Sequence, residues 1–282
     1  MSKNHLEKTL LVKWETENYE HNINFSFDRP GLYIHKLKKD NKEFQKPNSI
    51  YKFYSGSDLN IDSLEHSYLY FSSPRNFNDP WDCLTNREKY ILKGGEGIRK
   101  HRENLGVCCF SLINNNPIMW GHYTNSYKGF CIKFKNLRSL LFNEISVRSQ
   151  VTYLKNYSPT NESFDNTIRD IEKFTEIDDE LRNIILHGMM AVENYTWKHI
   201  DWSYEREFRA ISYSTHKFNR KLKFDLSLVD ELYLGHKMKT LNKKNYAKLL
   251  EIIKSKYPHI KLFEVNPNPI IVKLDFNEKS FK

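Results

Sequence analysis

The sequence predicts an α+β fold in which a single mixed, mainly antiparallel sheet forms the core and helices flank it. Three observations predict this class. Short runs rich in β-branched and aromatic residues recur along the chain, as strands do. Residues 178–195 repeat apolar side chains at helical spacing. No internal repeat and no low-complexity linker divides the chain, so these elements are expected to share one main domain.

The composition indicates a packed core that needs no disulfide bonds or bound metal ions. The chain has 282 residues, of which 39% are hydrophobic and 14% are aromatic, and large rings bury much area per residue. The cysteines show no CxxC pair or other metal-ligand spacing, so reduced, buried thiols are expected. The sequence therefore predicts no metal site and no disulfide framework for Cys83, Cys108, Cys109 and Cys131.

Charge and hydropathy bear on partners and location. The formal net charge is +9, from 44 basic and 35 acidic residues, which favours nucleic acid or another polyanion as a partner. The alternative is a lysine-rich solvated surface, and the absence of long basic runs favours that alternative. No apolar run is long enough for a signal peptide or a membrane span, so a cytoplasmic location and no membrane partner are expected.

Residues 1–48 are interpreted as an N-terminal extension. A helix is predicted near residues 7–19, and short apolar pieces broken by Arg29-Pro30-Gly31 follow it. The sequence Pro47-Asn48-Ser49 then marks a fresh start. We therefore place the main α+β domain at residues 49–282.

Within the main domain, the strands are predicted where β-branched and aromatic residues cluster between turn residues. Those runs are 49–54, 68–72, 107–112, 129–134, 147–154, 207–213, 261–265 and 270–274. Helices are predicted where apolar residues recur every three or four positions, or where a capping residue opens a short polar run. Those segments are 58–66, with Asp58 as the cap, 178–195 and 242–256.

The first polar segment of interest spans residues 71–82 and follows a strand. It is a proline-bounded loop in which Asn78 and Asp79 lie between bulky rings. Asn-Asp-Pro is a strong turn former because Asx side chains bond their own backbone. The functional interpretation is that the loop presents Asn78 and Asp79 to a ligand in a cleft.

The second segment is Met119-Trp120-Gly121-His122-Tyr123. A histidine beside tyrosine and close to tryptophan can stack on an aromatic ligand and hydrogen-bond to it. Trp120, His122 and Tyr123 are therefore candidate ligand-binding residues. The alternative is that His122 has a structural role.

The third segment is residues 202–209. In an extended chain Glu205, Glu207 and Arg209 fall on one face. Two carboxylates two residues apart raise each other's proton affinity unless Arg209 compensates. One interpretation is a surface strand with a Glu207–Arg209 pair. The other is a carboxylate at a strand start inside a cleft, where it binds hydroxyls or stabilises a cationic transition state.

These segments, in this order, resemble a bacterial family known as domain of unknown function 2971. The resemblance rests on a Tyr-Lys-Phe strand at residues 51–53, on Phe-Ser-x-Pro-x-x-Phe-Asn-Asp-Pro at 71–80, and on Met-Trp-x-His-Tyr at 119–123 with Gly129. It ends with Trp-x-x-Glu-x-Glu-Phe-Arg at 202–209. The resemblance covers about residues 49 to 265, and it implies no activity by itself.

A looser resemblance is to the ADP-ribosyltransferases, through the order of strand, helix, serine-ended strand and late Glu-x-Glu. It implies that Glu207 holds a ribose hydroxyl of NAD and stabilises the oxocarbenium-like state as nicotinamide leaves, and that Glu205 orients the acceptor. It also implies that Lys52 and Ser72 contribute to NAD binding and that His122 and Tyr123 pack against a base. Lysine lacks the bidentate fork of the arginine usual at the first strand. This resemblance is at the level of fold.

The leading hypothesis is an NAD-using transferase or glycohydrolase, acting as a toxin or phage-defence effector on nucleic acid or protein, with or without a partner protein. Its catalytic candidates are Glu207, Glu205 and His122, and Arg209 joins the ligand-binding set.

Two alternatives stay open. The first is a nuclease, with acid–base groups or metal ligands drawn from Asp79, Asp82, His122 and Glu207. The second is a non-catalytic module that binds a nucleotide or nucleic acid through Trp120, His122 and Tyr123.

Overall fold

The structure of the protein is a computed structural model. It describes residues 3–4, 9–16, 19–26, 32–39, 42–43, 47–79, 82–83, 103–135, 145–155, 162–213 and 219–280. The break predicted at Arg29-Pro30-Gly31 lies outside the described residues.

The described strands number seventeen. They are β1 Lys3–Asn4, β2 Thr9–Thr16, β3 Tyr19–Ser26, β4 Leu32–Lys39, β5 Lys42–Glu43, β6 Ser49–Tyr54, β7 Tyr68–Tyr70, β8 Leu105–Ser111, β9 Phe130–Lys135, β10 Ile145–Gln150, β11 Thr152–Leu154, β12 Trp197–His199, β13 Glu207–Tyr213, β14 Lys221–Lys223, β15 Val229–Gly235, β16 Lys261–Pro267 and β17 Leu274–Lys279.

Six α-helices lie between the described strands. They are α1 Asp58–Glu65, α2 Pro117–Tyr123, α3 Glu162–Lys173, α4 Asp179–Tyr195, α5 Met238–Leu241 and α6 Lys243–Lys256. Short 3₁₀ helices occur at Pro74–Asn76, Ile200–Glu205 and Leu226–Leu228.

Thirteen of the described strands form one sheet. Its order is β1-β2-β3-β4-β10-β13-β8-β6-β9-β15-β16-β17, and β5 pairs with β4. The β4–β10 and β15–β16 pairs are parallel, and the other described pairs of this sheet are antiparallel. The predicted fold class, a mixed and mainly antiparallel sheet with flanking helices, is confirmed.

Local capping chemistry fixes where two of the helices begin. The Ser57 side chain accepts a hydrogen bond from the Asn60 N–H, and the Asn60 side chain accepts one from the Ser57 N–H. The cap of α1 is therefore Ser57 and not Asp58, one residue before the predicted position. The Asp178 carboxylate accepts from the Leu181 N–H at 2.8 Å and begins α4 where the sequence predicted it.

The two ends of the sheet have separate cores. Around β6, β9 and β15, apolar side chains of the sheet pack against α1 and α6, for example Leu64 and Leu249. Around β2 and β10, the sheet packs against α3 and α4 through side chains such as Phe164 and Met189. Between these cores lies β13, whose first residues carry the candidate site.

The helix predicted near residues 7–19 is wrong, because residues 9–16 form β2. Leu10, Val12 and Trp14 are buried, whereas Lys13 and Glu15 are exposed, which is the two-residue period of a strand. The N-terminal strands join the sheet through the parallel pairing of β4 with β10. The domain boundary at residue 48 stays a prediction.

Two predicted strands differ in extent. Residues 147–154 are divided between β10 and β11, because the Val151 N–H still donates to the Glu207 carbonyl at 2.9 Å whereas the Thr152 N–H donates to the Thr196 carbonyl at 2.8 Å and β11 pairs with β12. The predicted strand at 270–274 is largely the turn between β16 and β17. Among the described residues, no helix is long and apolar enough to cross a bilayer.

Candidate active site

The strand predicted at residues 207–213 is β13, but the chain before it is not extended through Glu205. A 3₁₀ helix ends at Glu205, Arg206 adopts a left-handed conformation with φ 46° and ψ 49°, and β13 begins at Glu207. A left-handed backbone conformation is unfavourable for any residue other than glycine, so the surrounding contacts must hold Arg206 in it. The turn leaves Arg206 exposed while Glu205 and Glu207 are both buried. The surface-strand interpretation is therefore wrong.

Arg209 anchors the site from inside the protein. Its guanidinium is 0% exposed and has five N–H groups to satisfy. Nε and Nη2 donate to the two oxygens of Glu207 at 2.8 and 3.0 Å. Nη1 and Nη2 donate to the two oxygens of Asp82 at 2.8 and 2.6 Å, and Nη1 also donates to the Tyr195 carbonyl at 2.8 Å. Every N–H therefore has an acceptor.

Lys198, on β12, places a second buried cation beside the same carboxylates. Its Nζ donates to Glu205 Oε2 at 2.6 Å and lies 3.4 Å from Glu207 Oε2 and 3.5 Å from Asp82 Oδ2. It also lies 4.7 Å above the ring of Trp202. We name Asp82, Lys198, Glu205, Glu207 and Arg209 the buried charged network.

Sequence analysis did not assign Lys198 to the site and considered Asp82 only as a nuclease residue. Lys198 lies seven residues before Glu205, and no spacing rule connects a lysine there to a later Glu-x-Glu. Asp82 lies 127 positions before Arg209. A buried arginine flanked by a single carboxylate in sequence does, however, indicate that a further acceptor must come from elsewhere.

The two glutamates are driven toward opposite protonation. Burial alone would raise the pKa of Glu207, but the adjacent charges of Arg209 and Lys198 outweigh burial and lower that pKa to about 2. Burial raises the pKa of Glu205, and the negative charge of Glu207 raises it further, against the opposing effect of Lys198. Glu207 is therefore a fixed anion, while Glu205 has an increased tendency to hold a proton.

The outer end of the network is aromatic. The Tyr123 hydroxyl donates to Glu205 Oε1, and burial, followed by the Glu205 charge, raises the pKa of Tyr123. The Tyr204 hydroxyl lies within hydrogen-bond distance of His122 Nδ1, at 3.3 Å. The ring centroids of Trp202 and Tyr204 are 6.0 Å apart. We name Tyr123, His122, Tyr204 and Trp202 the aromatic rim. It begins at half-buried Tyr123 and ends at exposed His122.

Helix α2 positions the rim. The Asn116 side chain accepts from the Ile118 N–H at 2.8 Å and so caps the helix, while its amide donates to the Tyr204 carbonyl at 3.0 Å. This one side chain ties α2 to the 3₁₀ helix that carries Tyr204 and Glu205. On the inner side, the Tyr153 hydroxyl accepts from the Glu207 N–H at 2.8 Å.

Other predicted ligand-binding residues lie elsewhere. Trp120 is 0% exposed, donates to the Asn114 carbonyl at 2.7 Å and packs edge-on against Phe53, so its indole belongs to the core. The Lys52 ammonium donates to the Cys109 carbonyl at 2.9 Å. These residues do not contact the network or the rim through any described side-chain hydrogen bond.

The predicted loop of residues 71–82 contributes Asp82 and also Phe77, whose ring centroid lies 5.3 Å from the Arg209 guanidinium. The backbone of Ser72 pairs with Val107, and Asn78 is exposed. Asp79 is buried, and its carbonyl accepts from the Asp82 N–H at 3.1 Å. This backbone hydrogen bond helps to place Asp82 where it pairs with Arg209.

The nuclease alternative needs a different arrangement of acids. Within the described ranges, no group of three or more His, Cys, Asp or Glu side chains is arranged to hold a metal ion. The carboxylates that do converge share the ammonium of Lys198, and His122 interacts with Tyr204. A protein cation occupies the position that a metal would need.

Comparison with known proteins gives two matches. A search of solved structures finds Thermus sp. 2.9 DarT in complex with NAD+, at 11% identity and a TM-score of 0.32, covering 77% of this chain and 93% of that chain. A similarity this low is not evidence for a shared fold or a shared activity. No curated protein matches the chain.

The second match is to a family model. Residues 119–210 match the family described as Protein of unknown function (DUF2971). This segment contains the aromatic rim and every member of the buried charged network except Asp82, and it is shorter than the 49–265 expected from the motifs. Over residues 119–210, the predicted resemblance to domain of unknown function 2971 is confirmed.

Proposed function

We propose that the protein is an NAD-using enzyme that cleaves the bond between nicotinamide and ribose and transfers ADP-ribose to an acceptor or to water. One observation carries the proposal. Two buried glutamates with opposite pKa directions share the ammonium of Lys198 beneath the aromatic rim. Pairs of carboxyl groups whose environments drive their pKa values apart are typical of acid–base sites.

Glu205 is the proposed general base. Its Oε1 faces Tyr123, at the outer side of the network, and its Oε2 is held by Lys198. A raised pKa brings a carboxylate closer to neutral pH, where it can accept a proton from an attacking hydroxyl or water. Tyr123 holds the carboxylate in place and can be displaced by a ligand hydroxyl.

Glu207 is the proposed electrostatic stabiliser. Both of its oxygens are bonded to Arg209, so it is fixed and ionised throughout the neutral range. A fixed negative charge stabilises an oxocarbenium-like transition state better than it stabilises the ground state. The resemblance implied this role for Glu207 together with a hydrogen bond to a ribose hydroxyl. Because Arg209 already bonds both oxygens, we assign only the stabilising role to Glu207.

The aromatic rim is the proposed binding surface for a base. Planar heteroaromatic rings stack on tyrosine, tryptophan and histidine, and a positively charged nicotinamide ring is also attracted by ring faces. His122 and Tyr204 lie at the exposed end, and Tyr123 connects that end to Glu205. In this proposal His122 positions the ligand.

The proposed reaction is a substitution at ribose C1′ and needs no oxidant or reductant. The bond between ribose C1′ and the nicotinamide nitrogen breaks, and its electron pair leaves with neutral nicotinamide. The acceptor oxygen or nitrogen then forms the new bond to C1′, and its proton passes to Glu205. The leaving group is already cationic in NAD, so no general acid is required.

The same proposal includes an acceptor for ADP-ribose and a biological role. We infer that the acceptor is nucleic acid or protein, and the net charge of +9 favours nucleic acid. A role as a toxin or defence effector predicts that expression in a bacterial host slows growth. The Glu205→Gln variant is expected to remove that effect.

The test is nicotinamide release from NAD by the purified protein, with and without nucleic acid. Glu205→Gln and Glu207→Gln are each expected to lower the rate at least ~100-fold. The matched control is Glu251→Gln, on the exposed face of α6, which should release nicotinamide at the unaltered rate.

The outcomes separate the candidate functions. Release that survives Glu205→Gln would reject the assigned base. Saturable NAD binding without release would show a binding module. Neither binding nor release, with an intact fold by circular dichroism, would overturn the proposal.

A further inference from the structure

Three chain segments meet at one edge of the sheet. Strands β6, β15 and β16 run in the same direction, because β6 and β15 are both antiparallel to β9 and β16 is parallel to β15. Their carboxyl ends are aligned, since Tyr54 and Leu234 both pair with Phe130. The segments that follow these strands therefore lie side by side.

This edge carries most of the large apolar side chains that the described structure leaves in water. Leu59 follows β6 and is 75% exposed, and Leu241 follows β15 and is 66% exposed. The turn after β16 exposes Ile270 at 89%, Ile271 at 54% and Val272 at 101%. These five residues belong to three separate segments, so the sequence does not show them as one apolar run.

The segments are fixed to one another. The Asn242 amide donates to the Gly56 carbonyl at 2.9 Å and to the Lys128 carbonyl at 3.1 Å. Gly56 has φ 78°, and a side chain there would collide with Asn242. On the other side, the His236 N–H donates to the Val265 carbonyl at 3.1 Å. The exposed aliphatic groups are therefore presented by a rigid frame.

Lysines surround the aliphatic groups. Residues 236–244 and 266–274 contain five lysines and no acidic residue. Lys244 and Lys273 lie 3.5 and 3.4 Å from the carboxylates of Asp58 and Asp275. Among the described residues, no carboxylate lies within ion-pair distance of the other three, which are exposed: Lys237, Lys239 and Lys243.

We propose that this surface, named the edge patch, binds an anionic lipid bilayer from one side. Exposed branched aliphatic groups enter the interfacial region, and surrounding lysines bind acidic headgroups. Nucleic acid is the less suitable occupant, because bases stack on aromatic side chains and the exposed groups here are Leu, Ile and Val. Contact from one side needs no membrane-spanning helix, so the absence of an apolar run does not oppose it.

The edge patch does not depend on the proposed NAD chemistry. None of its residues belongs to the buried charged network or the aromatic rim. Glu207 lies at the amino end of β13, which runs in the same direction as β6, whereas the edge patch follows carboxyl ends.

The test is flotation of the full chain with vesicles, with no NAD present. The chain is expected to bind vesicles of equimolar phosphatidylcholine and phosphatidylserine, to bind pure phosphatidylcholine at least ~10-fold more weakly, and to dissociate as salt rises. The triple variant Ile270→Ser/Ile271→Ser/Val272→Ser and the double variant Lys237→Glu/Lys239→Glu should each lower binding at least ~10-fold.

The matched control is Lys254→Glu/Lys256→Glu, with the same charge change at the far end of α6, about 17–20 Å from Lys243. It should bind like the unaltered chain. Equal loss in this control would overturn the proposal, because net charge alone would then explain binding. Absence of vesicle binding would also overturn it, as would single-stranded DNA binding that the lysine variant lowers and the aliphatic variant leaves unchanged.

Discussion

The buried charged network and the edge patch use charge in opposite ways. In the network, Lys198 and Arg209 are enclosed with three carboxylates, and each cation has several carboxylate oxygens in contact. In the edge patch, Lys237 and Lys239 are exposed and lack a described ion pair. Enclosed charges must be satisfied by the protein itself, whereas exposed charges are satisfied by water and remain available to a partner.

The two regions also differ in what a substitution should do. Removing one partner from an enclosed network leaves another charge uncompensated in a medium that solvates it poorly. Removing an exposed lysine or isoleucine leaves water in its place. Stability should therefore depend strongly on the network and weakly on the edge patch.

The largest expected effect is that of Arg209→Met. This change leaves Asp82 and Glu207 buried without their bidentate partner, so the free energy of unfolding should fall by about 3–5 kcal/mol. Urea denaturation followed by circular dichroism measures it. The matched change Lys239→Met should stay within about 0.5 kcal/mol. A similar small change for Arg209→Met would contradict the proposed difference between the regions.

The two glutamates are expected to differ in how much each contributes to the free energy of unfolding. Glu207→Gln removes an anion that Arg209 stabilises, and we expect a loss of about 3 kcal/mol. Glu205→Gln removes a charge that burial and Glu207 oppose, so we expect a change within about 1 kcal/mol. The same urea titration measures both variants. Equal losses would show that the two carboxylates have equivalent environments.

Acid is expected to lower the stability of the protein through the buried charged network. The pKa of Glu207 is lowered from an ordinary 4.5 to about 2, so its contribution is present above pH 4.5 and is lost as the pH falls toward 2. The loss over this range should reach about 3 kcal/mol. Glu205 has the opposite sign in a different range, because its pKa is raised: its protonation adds stability as the pH falls toward 4.5 and adds no more below it. Unfolding measured across this range should show a slope that Glu207→Gln reduces. An unchanged slope in that variant would assign acid sensitivity elsewhere.

The smallest effects concern apolar side chains. Ile253→Val, on the buried face of α6, should lower the free energy of unfolding by about 0.5–1.5 kcal/mol. Ile270→Val, at 89% exposure, should leave it unchanged within about 0.3 kcal/mol. Thermal denaturation of the pair measures the difference. A loss at Ile270 equal to that at Ile253 would mean that the turn is packed against something.

Sequence reasoning reached much of the fold because its signals are local. The apolar spacing of residues 178–195 predicted α4, and the aromatic runs predicted β6, β8, β9 and β13. It failed at β2, where a strand pattern was interpreted as a helix. It also failed at Arg206, because no local rule requires a left-handed residue between two glutamates.

For the site, the sequence determined which groups exist and tertiary structure decided which of them meet. Glu205, Glu207, Arg209, His122 and Tyr123 could be identified from their spacing and neighbours. Lys198 and Asp82 could not, because the contacts that assign them join β12 and a distant loop to β13. The edge patch is the same kind of case, since strand pairing alone brings its three segments together. Composition and periodicity are properties of neighbouring residues, whereas burial, and with it the pKa of each carboxyl group, is a property of the packed chain.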